Sequence, residues 1–267
     1  MTRPSAVVIL AAGEGKRMRS SLPKVLHPIA GRSLVGHVLE AAAALEPEHM
    51  VVVVGHGRDQ VTAHLAEIAP WALIVVQEEQ RGTGHAVRIA LDDLAGRGVS
   101  LASGPVVVLT GDTPLLSGST LLDLLQDHAD AVAKATVLTA TLPDATGYGR
   151  IVRDANGRLE RIVEHKDALP DELRINEINS GMYAFESGDL RAMLDRITTD
   201  NAQGEEYLTD VIGLLRAGDA TVAASMCADD AEILGVNDRL QLAQAAAIMR
   251  DRINARWMRE GVAILDP

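Results

Sequence analysis

A glycine-rich, strongly basic segment near the start of the chain is where residue types and spacing first point to chemistry. Leu10-Ala11-Ala12-Gly13-Glu14-Gly15-Lys16-Arg17-Met18 runs from an apolar stretch directly into small residues. Glycines let the backbone approach a ligand closely and turn several N–H groups toward one anion. Between Ala11 and Arg32 stand five basic residues (Lys16, Arg17, Arg19, Lys24, Arg32) against Glu14 alone, a local +4 on a chain of formal charge −12. A cationic loop on an anionic body suits a compact, highly charged ligand such as a nucleoside triphosphate. A solvated basic turn is the plain alternative, and the loop's position after a first buried strand favours phosphate binding over it. Two familiar phosphate loops do not fit. A dinucleotide fingerprint needs a third glycine where Met18 stands, and a Walker-type loop needs a hydroxyl where Arg17 stands.

The elements that must position this loop read as alternating strands and helices. Ala6–Leu10, Val51–Val54, Leu73–Val76 and Val106–Leu109 are short apolar runs rich in β-branched residues, the pattern of strands buried on both faces of a parallel sheet. Helical patterns lie between them at Leu34–Leu45, Arg58–Ile68, Gly84–Leu94 and Ser119–His128, the last with Ser117 or Ser119 as cap. This alternation predicts a doubly wound, mostly parallel α/β sheet of Rossmann-like type. Ligands of such sheets sit beyond the carboxyl ends of the strands, here in the loops after Leu10, Gln77 and Leu109. After Thr141 the rhythm changes. Ile151–Arg153 and Leu159–Val163 flank an Asn156-Gly157 hairpin signal, and Ile178–Phe185 reads as another strand, together a mixed β elaboration. Helices return at Asp189–Ile197, Tyr207–Leu215 and Arg239–Arg259, with Asn237 or Asp238 capping the last and Gly261 ending it. The expected division is a body at 1–238 and a C-terminal helical arm at 239–267.

Composition narrows the function classes. Of 267 residues 47% are hydrophobic and 23% charged, as in an ordinary globule rather than a disordered chain. Aromatics at 2% leave few rings for stacking on bases, and the net negative charge repels polyanions, so nucleic acid is not the expected partner. No apolar run approaches the roughly 20 residues that span a bilayer. Ala6–Ala12 could pass for a weak signal-peptide core, but the basic loop after it favours a buried strand. The lone Cys227 excludes an internal disulfide and suits a reducing cytoplasm. Eight histidines show no zinc-binding spacing.

Leu10-Ala11-Ala12-Gly13-x-Gly15-x-Arg17-Met18 followed by Pro23-Lys24 resembles the signature of the sugar-phosphate nucleotidyltransferases. The longer string Leu22-Pro23-Lys24-Val25-Leu26-His27 is similar to the uridylyltransferase half of the bacterial bifunctional N-acetylglucosamine-1-phosphate uridylyltransferases/glucosamine-1-phosphate acetyltransferases. Further strings agree in order along nearly the whole chain, among them Gln80–Ala86, Gly111–Leu115, Gly147–Arg150, Val163–Ala168, Asn201–Glu205, Tyr207–Asp210 and Gly235–Asn237.

The resemblance implies a reaction and residue roles. UMP would pass from UTP to N-acetylglucosamine 1-phosphate with Mg²⁺ assistance, releasing pyrophosphate and supplying peptidoglycan synthesis. Leu10, Ala11, Ala12 and Gly13 would lie along uracil and ribose, and Gly15, Arg17 and Lys24 would face the triphosphate. Gln77, Gly82 and Thr83 would read the base, with Thr110 and Gly111 beside it. Asp112 and Asn237 would hold the metal, and Gly149, Glu164 and Asn179 the acetamido sugar. Arg17, Lys24 and Asp112 are the implied catalytic groups. Transfer to another sugar 1-phosphate, or nucleotide-sugar binding without turnover, are the alternatives. Lys16 departs from the threonine usual in the family and adds charge to the loop. The hexapeptide repeats of the bifunctional relatives are not in this sequence, so acetyl transfer and their trimer are not expected of it, and a monomer is.

Overall fold

The computed structural model describes residues 3–102 and 104–266. In chain order the elements are β1 (Ala6–Ala11), β2 (Pro28–Ile29), β3 (Arg32–Ser33), α1 (Leu34–Ala43), β4 (His49–Val54), α2 (Arg58–Ile68), β5 (Leu73–Val76), α3 (Thr83–Gly96), β6 (Val106–Thr110), α4 (Gly118–Asp130) and β7 (Ala135–Thr141). They continue with β8 (Arg150–Arg153), β9 (Leu159–Val163), β10 (Glu177–Phe185), α5 (Ser187–Leu194), α6 (Asp210–Ala217), β11 (Val222–Met226) and α7 (Arg239–Arg259).

The main sheet has the order β11-β7-β10-β6-β1-β4-β5, with the β8–β9 hairpin joined to it through β10. β5, β4, β1 and β6 are parallel neighbours, and β10 enters antiparallel between β6 and β7. From β1 the chain proceeds outward to β4 and β5, then returns to place β6 on the other side of β1. That reversal opens a crevice at the carboxyl ends of β1 and β6.

Period-two burial explains why these runs are strands. Val7, Ile9, Val52, Val54 and Leu109 point into one core layer, with α1, α2 and α4 over it. Ala6, Val8, Val51, Val53, Val106 and Val108 point into the other, under α3, α5 and α6. Burying each such aliphatic side chain contributes roughly 1.5–3 kcal/mol. A smaller third cluster (Met18, Ile29, Leu34, Leu115, Val236, Ala245) seats α7 against the loop after β1. The first basic turn is therefore pinned by Met18 from below while its charges face outward.

The structure corrects several readings in detail. Leu73–Val76 is not buried on both faces; it is the sheet edge, with Val76 exposed. The Asn156-Gly157 signal does not make a two-residue turn: Gly157 alone takes positive φ, and the turn is closed by Asp154, which receives the Gly157 N–H and accepts from Asn156 and Arg158 through its side chain. Tyr207–Thr209 precedes its helix rather than belonging to it. Ser117, not Ser119, caps α4, and Asp238, not Asn237, caps α7. No helix among the described residues is long and apolar enough to cross a membrane.

Candidate functional site

The loops after β1, β5 and β6 enclose a cavity of about 440 Å³. Leu10, Ala11, Ala12, Gly13 and Lys24 line one side, Gln77, Gly82 and Thr83 another, with Thr110 and Asp112 at the floor. Backbone packing sets its shape. Gly111 donates its N–H to the Leu10 carbonyl at 2.9 Å, and a Cβ on Gly111 would stand 3.0 Å from that oxygen. Gly15 has φ of +64°, and a Cβ there would press within 2.6 Å of the Lys24 Cβ. Glycine thus lets the basic loop fold down onto Lys24. A larger cavity of about 550 Å³, bordered by Arg32, Arg252 and Arg256, shares none of these residues.

Lys24 holds the charged centre together. Its ammonium donates to Asp112 Oδ2 at 2.5 Å and to Asn237 Oδ1 at 3.1 Å. The pair is well enclosed, with the two side chains 14% and 18% exposed. Asp112 follows β6, and its backbone carbonyl accepts from Val236 N–H at 2.9 Å, which brings the Gly235–Asn237 segment over it. Because Asp238 takes the capping role, the Asn237 amide is left to point at Lys24, while its N–H is satisfied by Gln241 Oε1. Two oxygen donors from strand end and helix start, already gathered around a cation, fit a sparse oxygen site for a hard divalent ion. Among the described residues no group of three or more His, Cys, Asp or Glu is placed to hold a metal. Any ion here therefore relies on substrate oxygens or water for its remaining ligands.

Gln77, only 3% exposed, donates from Nε2 to the Gly82 carbonyl at 3.1 Å and lies 3.1 Å from His85 Nδ1. The amide nitrogen is thereby engaged inside the wall, so Gln77 offers the cavity an acceptor rather than both halves of its amide. Desolvation, followed by Arg81 and Arg88, holds the His85 imidazole below its ordinary value, so it faces Gln77 neutral. Gly82 has φ of +112°, and a Cβ on it would lie 2.5 Å from the Glu206 carbonyl oxygen. Glu206 N–H donates to Arg81 O, Gly84 N–H to Glu206 O, and Leu208 N–H to Thr83 Oγ1. The Glu206 carboxylate, its side chain 6% exposed, sits against Arg88 and 3.1 Å from Arg81. This strap clamps the Gly82–Thr83 turn from beneath.

Gly149, Glu164 and Asn179, which the resemblance grouped, lie close together. Asn179 N–H donates to the Gly149 carbonyl at 2.9 Å, and a Cβ on Gly149 would sit 3.5 Å from both the Asn179 Cβ and Glu164 Oε2. Burial pushes the Glu164 carboxyl above its usual range; Thr209 opposes this by donating to Oε1 at 3.2 Å. Gly181, two residues beyond Asn179, packs against the cavity floor, where a Cβ on it would lie 3.0 Å from Thr110 Cγ2.

Arg17 is not brought into the cavity. It is exposed and does not line it, although it lies within electrostatic reach of Tyr148, whose hydroxyl is pushed up chiefly by burial. Lys16 pairs with Glu14 at 2.9 Å on the surface, so its extra charge is locally balanced. His56, Gln80 and Glu205 also line the cavity, and Thr209 touches the sugar-side carboxylate. Sequence reasoning assigned no role to these four; Gln80, Glu205 and Thr209 stood within matched strings but carried no pattern of their own.

The crevice at this sheet reversal is walled by glycine turns around a caged cation, and residues 6–248 match the nucleotidyl transferase family. The chain belongs to that family. It is 58% identical over 266 residues to the bifunctional protein GlmU of Streptomyces avermitilis, covering 99% of this chain and 54% of that protein. It is 54% identical to the bifunctional protein GlmU of Thermobifida fusca, covering 100% of this chain and 55% of that one. The chain thus spans about half the length of these relatives. A solved UDP-glucose pyrophosphorylase in complex with UDP-glucose shares the fold, with a TM-score of 0.73 over 93% of this chain and 99% of the other at 17% identity.

Proposed function

We propose that the chain transfers UMP from UTP to N-acetylglucosamine 1-phosphate, yielding UDP-N-acetylglucosamine and pyrophosphate. The observation that carries this reading is the Lys24 ammonium resting on Asp112 and Asn237 beside the cavity floor. A cation is already at home where triphosphate and acceptor phosphate would meet. Close identity to the bifunctional GlmU proteins supports the choice of nucleotide and sugar.

In this reading uracil lies between the Leu10–Gly13 backbone and the Gly82–Thr83 turn, with Gln77 Oε1 accepting from the base. Glu164 and Asn179 hold the sugar, Glu164 by accepting from hydroxyls when ionised. A phosphate oxygen of the sugar 1-phosphate attacks the α-phosphorus of UTP; that P–O bond forms as the α–β P–O bond breaks and pyrophosphate leaves with the electron pair. The attacking oxygen is already anionic, so no protein nucleophile or strong base is required. Two unit charges 4 Å apart repel by on the order of 4 kcal/mol at an effective dielectric of 20, so cations must offset the approach of the two substrates. Lys24 supplies one. Asp112 and Asn237 would hold Mg²⁺, which when bound neutralises phosphate oxygens and favours in-line departure. Arg17, outside the cavity, would have to swing inward to contribute.

We also take the enzyme to act in the cytoplasm as a monomer with no nucleic-acid or membrane partner, consistent with the net charge of −12 and the single cysteine. Pyrophosphate release measured across a grid of nucleotides and sugar 1-phosphates, with and without Mg²⁺, tests the assignment. Release confined to UTP with N-acetylglucosamine 1-phosphate is expected; faster release with a different pair would replace it, and none with any pair would remove the reading.

A further inference from the structure

Thr209 occupies the N-cap position of α6, where a threonine hydroxyl ordinarily accepts from a backbone N–H of the first turn. Here the backbone of Thr209 is itself helical, with φ of −59° and ψ of −26°, and the hydroxyl makes no such bond. The hydroxyl donates instead to Glu164 Oε1 at 3.2 Å, although the two residues lie 45 positions apart and the threonine is only 4% exposed. A buried hydroxyl that holds one oxygen of a distant carboxylate fixes where the other oxygen points. That other oxygen, Oε2, lies against Gly149, where a Cβ would stand 3.5 Å from it.

We propose that Thr209 is a positioning residue for acceptor binding, orienting the Glu164 carboxylate toward the sugar hydroxyls. The proposal rests on Glu164 holding the sugar, as in the function proposed above. The residue before Thr209 serves the other substrate: Leu208 N–H donates to Thr83 Oγ1 at 3.0 Å, within the wall of the nucleotide cavity. Because that contact uses backbone, altering the Thr209 side chain leaves it intact. Loss of the hydroxyl therefore falls on the acceptor and spares the nucleotide.

The charges around Glu164 sharpen the consequence. Asp167 lies on its own loop, Glu205 and Asp210 belong to the strap and to α6, and Tyr183 and Tyr207 face it from β10 and the strap. Three acids oppose ionisation, as does burial, and the Thr209 hydroxyl is the contact that favours the charged form. Without it the carboxylate forms only at higher pH.

Thr209→Val keeps the shape and removes the donor; Thr209→Ser keeps the donor. For Thr209→Val the acceptor KM should rise about tenfold, as for one hydrogen bond to a charged group, with kcat and the UTP KM near wild type. The acid limb of acceptor kcat/KM should move to higher pH, and Thr209→Ser should restore both. Titration of the acceptor's own phosphate is common to all variants and cancels in the comparison. Should the valine variant not fold, Thr209→Ala carries the same measurement. An unchanged acceptor KM in Thr209→Val, beside a raised one in Glu164→Gln, would overturn the proposal alone. Equal losses toward both substrates with a lowered Tm would also overturn it, by showing a merely structural role. An unchanged acceptor KM in Glu164→Gln itself would instead remove the sugar-binding reading on which it stands.

Discussion

Replacing Lys24 with methionine separates two effects that the geometry joins. The ammonium sits 2.5 Å from Asp112 Oδ2 and 3.1 Å from Asn237 Oδ1, so in the absence of substrate it occupies the place that a divalent ion would need. Metal binding then requires this ammonium to be displaced. At an effective dielectric of 20, unit charges about 4 Å apart attract by roughly 4 kcal/mol. Both side chains are largely withdrawn from water, and part of that attraction only repays their desolvation. If a net 1.4 kcal/mol remains, removing the ammonium should strengthen metal binding to the nucleotide-free enzyme by about tenfold. Turnover should nevertheless drop by about a hundredfold or more, because one cation facing the phosphates is gone. Electron paramagnetic resonance of free Mn²⁺, titrated with enzyme lacking nucleotide, measures the first quantity, and pyrophosphate release the second. Metal affinity unchanged or weakened in Lys24→Met would refute the idea that lysine and metal compete for Asp112 and Asn237.

Other perturbations reach the supports of the site. Gly82→Ala forces a residue with Cβ into φ of +112° and against the Glu206 carbonyl; we expect a loss of about 2 kcal/mol in urea unfolding and a raised UTP KM. Glu206→Ala leaves Arg88 without its buried partner and should destabilise by roughly 3 kcal/mol, read as a lower Tm. Asp112→Ala should remove Mg²⁺-supported turnover far more than it changes stability; near-wild-type activity would contradict its metal role. Burial pushes His27, His37, His85 and His128 below the ordinary 6.5. The unfolded chain then binds protons that the native one refuses. Their contribution is complete above about pH 6.5 and declines as pH falls through the lowered native values, so urea unfolding should show less stability at about pH 5.5 than at about pH 7.5.

How much of this was legible in the sequence follows from the range of each interaction. Strands such as Val51–Val54 could be read because a buried β-run selects its own residue types over consecutive positions, whatever lies beside it. The edge status of Leu73–Val76 was hidden, since the run has the same composition but its lost neighbour is a property of the sheet. The cavity lining at Leu10–Gly13 and Lys24 could be read because glycine turns and charge are local cues, but the same cues could not show that Arg17 stays outside. The sugar-side group was accessible only through resemblance, its members being separated by hairpin and bulge.

Caps show where local cues stop deciding. Asn237 and Asp238 are equally good caps by residue type, and sequence left the choice open. In the fold, Asp238 accepts from Gln241 N–H, and the Asn237 oxygen is thereby left to Lys24. Thr209 presents the opposite case, a residue at the cap position whose hydroxyl serves Glu164 and not its helix. In both places a short polar side chain at a helix start takes a partner supplied by the tertiary structure rather than one nearby in the chain. Nearby partners can be inferred from spacing, whereas distant ones require the strap after Glu205 to be laid across the sheet end. The helices lose little by it: Asp238 caps α7 in place of Asn237, and the helical backbone at Thr209 leaves its hydroxyl no cap bond to give up. Thr209→Asp offers a check: a carboxylate there repels Glu164 and cannot donate to it, so acceptor binding should weaken with little change in Tm, and an unchanged acceptor KM would contradict the contact.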